Sequence, residues 1–230
     1  MTSEGSTTQP VLTVRQLRRR WKPNKDRLAE IQPNHPAGIR FHRACSWLQR
    51  AEEQQGTEAL DQVLLYQWVS LNALYGQWDP KTRNPQPDSV TLDRFVERMF
   101  ALDSEDSLPA VLKEQRELVL AILDDEYLSK YYWDAPSPKQ ARRSRKVKFD
   151  ASTWYLEGRW ILLLDRVLER IYLLRCQLVH GAATCGSKLN RTALQRCTTM
   201  LSHLLPAMLT IFTDSAAEED WGLLCYPPLD

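Results

Sequence analysis

The chain has 230 residues, of which 43% are hydrophobic and 26% are charged, and it contains only eight glycines. This composition is that of an ordinary soluble globular protein long enough to bury a core, and the scarcity of glycine and of alternating β-branched runs favours helices. The net charge of +1 gives no indication of nucleic acid or membrane binding. The distribution of charge is more informative than the net charge, because basic residues are concentrated in two runs, at 15–25 and 139–148.

The cysteines exclude two classes of small structural site. Their number is odd and no two of them form a C-x-x-C pair, which argues against a disulfide framework and against a zinc knuckle. We therefore expect free thiols at Cys45, Cys176, Cys185, Cys197 and Cys225. The first 14 residues do not have the pattern of a signal peptide and no apolar run reaches membrane-spanning length, so the expected location is cytoplasmic, without membrane contact.

The first 35 residues are predicted to lie outside the main helical domain. Residues 1–10 are polar and aperiodic, as in a flexible tail, and a basic segment follows them. Prolines at positions 23, 33 and 36 then indicate an irregular connection. This divides the chain into a tail with an irregular basic segment (1–35) and a helical domain (36–230).

Two helices are predicted next, at 39–55 and 58–79. The first has a single apolar stripe, formed by Phe41, Ala44, Cys45, Leu48 and Ala51. The second has apolar residues around most of its circumference, which is typical of a central helix buried on several sides. Asn72 is the exception in this second helix, and it must either find hydrogen-bond partners or face a cleft.

The middle of the chain, 80–152, is predicted to be an insertion. A proline-rich connection (80–89) precedes short helices at 90–102 and 108–123, and residues 127–152 are expected to form a long loop. The basic run in that loop has two interpretations, an RNA-binding patch or a solvated surface loop. Residues 131–133 could stack on bases or anchor the loop. The residues proposed for RNA contact are Arg142, Arg143, Arg145 and Lys146.

Two long helices, at about 156–180 and 187–213, complete the domain. The second has an apolar stripe, and Pro206 is expected to kink it. The apolar tail beyond this helix is expected to dock on the body of the protein. The stripe consists of Leu194, Cys197, Leu201, Leu205, Met208 and Phe212. The predicted fold is therefore all-α, an up-down helical bundle with an inserted middle segment and a basic loop.

Arg175 occupies an apolar position in the first of these two helices. Ile161, Leu164, Leu168 and Ile171 are spaced by three, four and three residues, and the same spacing leads to Arg175. Because an arginine stays charged, it must there pair with an acid, extend its head into solvent, or bind an anion.

His180 follows five residues later, directly before Gly181, a residue favoured just beyond a helix end. The helix dipole favours the imidazolium form there, and a histidine can act as general acid or base. A guanidinium can hold a phosphate and stabilise the charge that develops on it. The pair could support RNA cleavage without a metal or another cofactor. Five residues turn about 140° around a helix, so convergence needs a loosened helix end or a second copy of the chain.

The R-x4-H spacing of Arg175 and His180, followed by glycine, resembles the motif of the HEPN superfamily of all-helical ribonucleases and nucleotide-binding proteins. The helix "LLYQWVSLNALYG" is similar to the first core helix of that family. The resemblance covers about residues 40–80 and 155–228. It implies a homodimer whose two copies of the motif line one cleft, with metal-independent endoribonuclease activity that could serve a toxin–antitoxin or antiphage system.

The resemblance assigns catalysis to Arg175 and His180 and a supporting role to Asn72. Cys176 stands where many active members have a polar residue, often asparagine, directly after the motif arginine. Two further interpretations stay open: a catalytically silent HEPN module that binds RNA, a nucleotide or a partner protein, and a helical scaffold in which Arg175 pairs with an acid. The partners expected under the first interpretation are RNA, a second copy of the chain and a regulatory protein such as an antitoxin.

Overall fold

In the computed structural model, helices account for most of the chain, which confirms the all-α prediction. The structure describes residues 11–54, 56, 58–188, 190–215, 217 and 219–227. The helices within these residues are α1 (Val14–Ile31), α2 (Pro36–Glu53), α3 (Leu60–Tyr75), α4 (Asp88–Leu102), α5 (Ser107–Glu114), α6 (Arg116–Asp124), α7 (Lys130–Asp134), α8 (Pro138–Leu156), α9 (Trp160–Val179) and α10 (Arg191–Ser215), with a 3-10 turn at Glu126–Leu128.

A two-stranded hairpin, β1 (Trp78–Asp79) and β2 (Asn84–Pro85), connects α3 to α4. Its antiparallel register pairs Trp78 with Pro85 and Asp79 with Asn84. The hairpin turns the chain back, so that the first residue of α4 lies beside the last turn of α3. No helix among the described residues has the length and apolarity needed to cross a membrane.

Helix α1 corrects the prediction that residues 11–35 are irregular. Its side chains at positions 14, 17, 21 and 28 are buried, and a capping box between Thr13 and Gln16 fixes its first turn. Pro23 lies inside the helix on an exposed position, where water can bind the carbonyl that loses its amide donor. The buried face therefore outweighs the proline, and α1 belongs to the helical body; residues 1–10 lie outside the described part of the chain.

Helix α8 corrects the second irregular prediction, the long basic loop at 127–152. Pro138 is at the first helical position, where a proline lacks no hydrogen bond, and the Ser137 hydroxyl caps the helix by accepting from the Gln140 amide. The basic run therefore lies on a helix.

The middle segment shares the core with the rest of the chain. Phe95, Met99, Leu112 and Ile122 are at most 3% exposed and belong to the same hydrophobic cluster as α2, α3, α9 and α10. The predicted stripes of α2 and α10 are all buried, which confirms both. Helix α4 starts at Asp88 without a side-chain hydrogen bond at its cap. Helix α10 starts at Arg191, four residues later than the predicted start at residue 187.

The helices α2 and α3 pack as an antiparallel pair. The Ser70 hydroxyl donates to the Ala44 carbonyl at 2.8 Å, and the Trp47 ring lies 5.8 Å from that of Tyr66. One side of α3 faces away from the core, and Val69 on that side is 37% exposed. The expectation that α3 is buried all round is therefore wrong for this side, which also carries Asn72.

Arg40 joins distant parts of the chain. It is 1% exposed, and its guanidinium donates to the carbonyls of Leu74 and Gly76 at the end of α3 and of residues 221, 222 and 223 near the C-terminus. Trp221 packs against Phe212 with ring centroids 5.3 Å apart. The C-terminal segment is therefore docked on the body, as its apolar sequence predicts.

Candidate functional site around Arg175

Arg175 lies in the last turns of α9, half-buried on the side that faces α3. Its guanidinium is 5.8 Å from the ring of Tyr172, one turn earlier, and its Nη1 lies 3.9 Å from the Cys176 sulfur. Among the described residues, no carboxylate forms an ion pair with it. The interpretation of Arg175 as one partner of a structural ion pair therefore has no support in the described part of the chain.

Arg170, five residues earlier, shows what a structural arginine looks like in this protein. It is 4% exposed, and its guanidinium donates to the carbonyls of Asp125, Leu123 and Ser144. Those contacts join α9 to the end of α6 and to α8. Arg175 makes no comparable set of bonds, so its charge is available to a ligand.

A polar network next to this arginine contains Asn72. The Asn72 side-chain amide donates to the Tyr75 hydroxyl at 3.0 Å and to the Asp88 carboxylate at 3.1 Å. Asn72 has therefore found the partners that its position on α3 requires. The sequence did not point to Asp88 or Tyr75, because their contact depends on the hairpin that folds α4 back onto α3.

Electrostatic effects connect this network to Arg175. Burial raises the pKa of Tyr75, the charge of Asp88 raises it further, and the charge of Arg175 opposes both effects. A hydrogen bond with Cys176 raises the pKa of Tyr172, which the charges of Asp88 and Arg175 also influence. Both tyrosines thus stay protonated at neutral pH, and α3, α4 and α9 each contribute to one cluster.

Tyr172 is a third member of the cluster that the prediction missed, after Tyr75 and Asp88. It lies three residues before Arg175, which places both side chains on one face of α9, and its ring centroid is 5.7 Å from that of Trp68. Helical spacing alone could have identified it. Its contact with Cys176 also gives that thiol a place inside the cluster.

His180 lies just beyond α9 and is exposed. Gly181 has φ +68°, its amide donates to the Leu178 carbonyl at 3.1 Å, and the Ala182 amide donates to the Gln177 carbonyl at 2.8 Å. This is the Schellman arrangement that ends a helix at a glycine. The predicted helix end is therefore confirmed, and the imidazole is free to meet a ligand or a second copy of the chain.

The four cations proposed for RNA contact lie on α8. Arg145 forms an ion pair with Glu126, and Lys146 forms one with Asp150 at 3.5 Å. Arg143 lies over the Tyr131 ring at 4.1 Å, and Arg142 is exposed. Nearby carboxylates thus neutralise two of the four charges, which weakens this run as a phosphate-binding surface; its role in RNA contact stays a prediction.

No group of three or more potential metal ligands occurs in the part of the chain that the structure describes. No protein-family model, no curated protein and no solved structure matches this chain.

Proposed function

We propose that the protein is a metal-independent endoribonuclease of the HEPN type that acts as a homodimer. The observation that carries the proposal is Arg175, a half-buried cation without an ionic partner among the described residues, five residues before the exposed His180. An unsatisfied guanidinium in a polar cluster is suited to an anionic ligand such as a phosphodiester.

In the proposed reaction, the imidazole of His180 in one subunit accepts the proton of a ribose 2′-hydroxyl. The 2′-oxygen attacks the adjacent phosphorus, and the bond from phosphorus to the 5′-oxygen breaks as that oxygen takes a proton from the imidazolium of the second subunit. Arg175 stabilises the additional negative charge on the phosphorane-like transition state. The products are a 2′,3′-cyclic phosphate and a free 5′-hydroxyl.

The polar network has a positioning role in this proposal. The Asn72 amide donates to the Asp88 carboxylate, and the charges of Asp88 and Arg175 both act on Tyr75 and Tyr172. In the proposal, the charge of Asp88 helps to orient the guanidinium without forming a direct ion pair with it. Asn72 and Asp88 thus act through Arg175.

The dimer is part of this proposal because it explains how the two motif residues could meet. Exposed apolar side chains occur on α2, α3 and α9, where Trp47, Val69 and Val179 are 38%, 37% and 54% exposed. In the proposed dimer, apolar side chains of this kind are buried against the second copy. The second copy then supplies the His180 that meets the first copy's Arg175, which resolves the divergence of the two side chains along a single helix.

The test is cleavage of a structured RNA in excess EDTA by the wild type, Arg175→Ala and His180→Ala. We expect activity without metal and a loss of about 100-fold or more for each substitution, the range for a lost general base or a lost oxyanion contact. Arg159→Ala and His203→Ala are the matched controls, since Arg159 is exposed before the first residue of α9 and His203 lies within α10.

Three outcomes would contradict the nuclease proposal: a requirement for Mg²⁺, activity that survives both substitutions, and a folded wild type that binds RNA without cutting it. The last would identify the silent module, which the departure at Cys176 favours. Val69→Glu tests the dimer separately, since sedimentation should then report a monomer and cleavage should fall with it.

A further inference from the structure

A groove of about 1150 Å³ runs between α1 and α2, on a part of the protein that the cluster around Arg175 does not include. Its floor is apolar and buried, formed by Trp21, Leu28 and Phe41. Exposed basic side chains of α1 line one wall, at positions 15, 18, 19, 22 and 25. The spacing of three and four residues between them places all five on one face of the helix.

None of these five cations forms an ion pair with another described residue. Arg18 donates to the Gln49 side chain at 2.9 Å. Burial raises the pKa of Glu52, and the charge of Arg18 acts to lower that pKa without a direct ion pair. Arg20, which points away from the groove, contrasts with them because it forms a bidentate pair with Asp214 at 2.7 and 2.6 Å. The acids that line the groove are Asp26 and the partly buried Glu52, so the wall keeps a clear positive excess.

The length of the array indicates a polyanion. Ten residues separate Arg15 from Lys25, which corresponds to about 15 Å along a helix. Phosphates lie about 3.4 Å apart along the axis of a stacked strand and farther apart in an extended one, so this wall can face at most about four consecutive phosphates. A single small anion would contact only one or two of these side chains.

The volume of the groove indicates one strand instead of two. About 1150 Å³ is comparable to a large small-molecule pocket, which has room for a few nucleotides of one strand but not for a duplex of the same length. At one end of the groove, Gln32, Asn34 and His35 offer side-chain donors and acceptors that can reach base edges. We propose that the groove between α1 and α2 binds the phosphodiester backbone of single-stranded nucleic acid.

The experiment measures fluorescence anisotropy of a labelled 15-nucleotide 2′-O-methyl oligouridylate with the full-length protein. This probe cannot be cleaved through a 2′-hydroxyl, so binding is measured whether or not the protein is a nuclease. The groove variant is Arg19→Gln/Lys22→Gln/Lys25→Gln. The matched control, Lys113→Gln/Arg116→Gln/Arg159→Gln, removes the same charge from exposed positions near the start of α9.

We expect the groove variant to raise Kd at least tenfold near 0.1 M salt. The slope of log K against log salt should flatten by about 2, because each lost phosphate contact removes about 0.7 from the slope of a single strand. The control should change Kd less than twofold. Circular dichroism establishes that both variants fold, which is expected because all six side chains are exposed.

The proposal is overturned if the groove variant keeps the wild-type Kd and salt slope, or if both triple variants weaken binding equally. It is also overturned if polyglutamate of equal charge competes as well as the oligonucleotide, which would identify an acidic protein segment as the ligand. Loss of cleavage in Arg175→Ala with an unchanged anisotropy titration would support a groove that works independently of the proposed active site.

Discussion

Asp165, on α9, is half-buried among other carboxylates. Burial is the largest cause that raises its pKa to about 6; the charges of Asp93 and Glu97 on α4 and of Glu169 on α9 act in the same direction, and Arg166 opposes them. Its ionised form is therefore unfavourable in the folded protein. This cluster has no catalytic role in the proposed reaction, but it should govern how stability depends on pH.

Asp165→Asn tests this effect. Because the folded-state pKa is above the ordinary value of 3.8, the residue's favourable contribution is present below about pH 4 and is lost as the pH rises through about 6. At pH 7.5 the variant should be more stable than the wild type, by on the order of 1 kcal/mol once solvent screening is considered. At pH 4 the difference should vanish. Urea unfolding at both pH values measures it, and an equal offset at the two would contradict the assignment.

The residue scale also shows how far the sequence could locate the candidate site. Spacing along α9 correctly placed Arg175 on an inward-facing position and His180 at the helix end. It could not distinguish Arg175 from Arg170, whose guanidinium is the one held by backbone carbonyls. That distinction depends on where the end of α6 and the first half of α8 lie relative to α9, and the periodicity of α9 carries no information about those positions. Asp88 could not be identified for the same reason, because its hydrogen-bond partner Asn72 lies 16 residues earlier in the sequence.

At the scale of elements, the end of α9 fixes the position of His180. Gly181→Ala places a side chain at φ +68°, where glycine is favoured, although no atom lies within 4 Å of the new Cβ. We expect a loss of about 1 kcal/mol from backbone strain alone, together with reduced RNA cleavage as the helix end loosens around the imidazole. Thermal unfolding and the EDTA cleavage assay measure the two effects.

Gly38→Ala is the matched control for that substitution. Gly38 lies inside α2 with nothing within 4 Å of the added Cβ, so alanine should stabilise the helix by up to about 1 kcal/mol. Opposite signs at the two glycines would support backbone conformation as the cause. Destabilisation at both positions would instead point to packing around the added methyl groups.

The helices α2 and α10 were predictable from their apolar stripes, whereas α1 and α8 were not predicted. The stripes of α2 and α10 consist of large side chains and gave both helices correctly. The buried positions of α8 are Ala141, Ser144 and Ala151, which are too small or too polar to produce a periodic signal. In α1 the stripe was present, but Pro23 and the dense basic residues concealed it.

At the scale of the whole molecule, Arg40 connects α2, the end of α3 and the C-terminal segment. Burial lowers its pKa to about 10, which leaves it charged at neutral pH. Five carbonyls accept hydrogen bonds from its guanidinium, and no carboxylate among the described residues forms an ion pair with it. Removal of the guanidinium would leave several buried carbonyls without a donor.

Arg40→Met should therefore destabilise the protein by about 3 kcal/mol or more, since each unsatisfied buried acceptor costs about 1–3 kcal/mol. Arg43→Met is the control; Arg43 is half-buried and donates to the Cys225 and Tyr226 carbonyls nearer the surface, so its loss should cost about 1 kcal/mol. Urea denaturation gives both free energies of unfolding. Equal losses in the two variants would show that Arg40 has no special role in joining α2 and the end of α3 to the C-terminal segment.

The carbonyls that surround Arg40 also set an order of events during synthesis. Three of the five belong to residues 221–223, whereas Arg40 itself emerges from the ribosome about 180 residues earlier, roughly ten seconds or more before them. Until those residues emerge, the part of the guanidinium that will meet their carbonyls needs water as its hydrogen-bond partner. Arg40 therefore gains its full set of carbonyl partners only after residues 221–223 have left the ribosome.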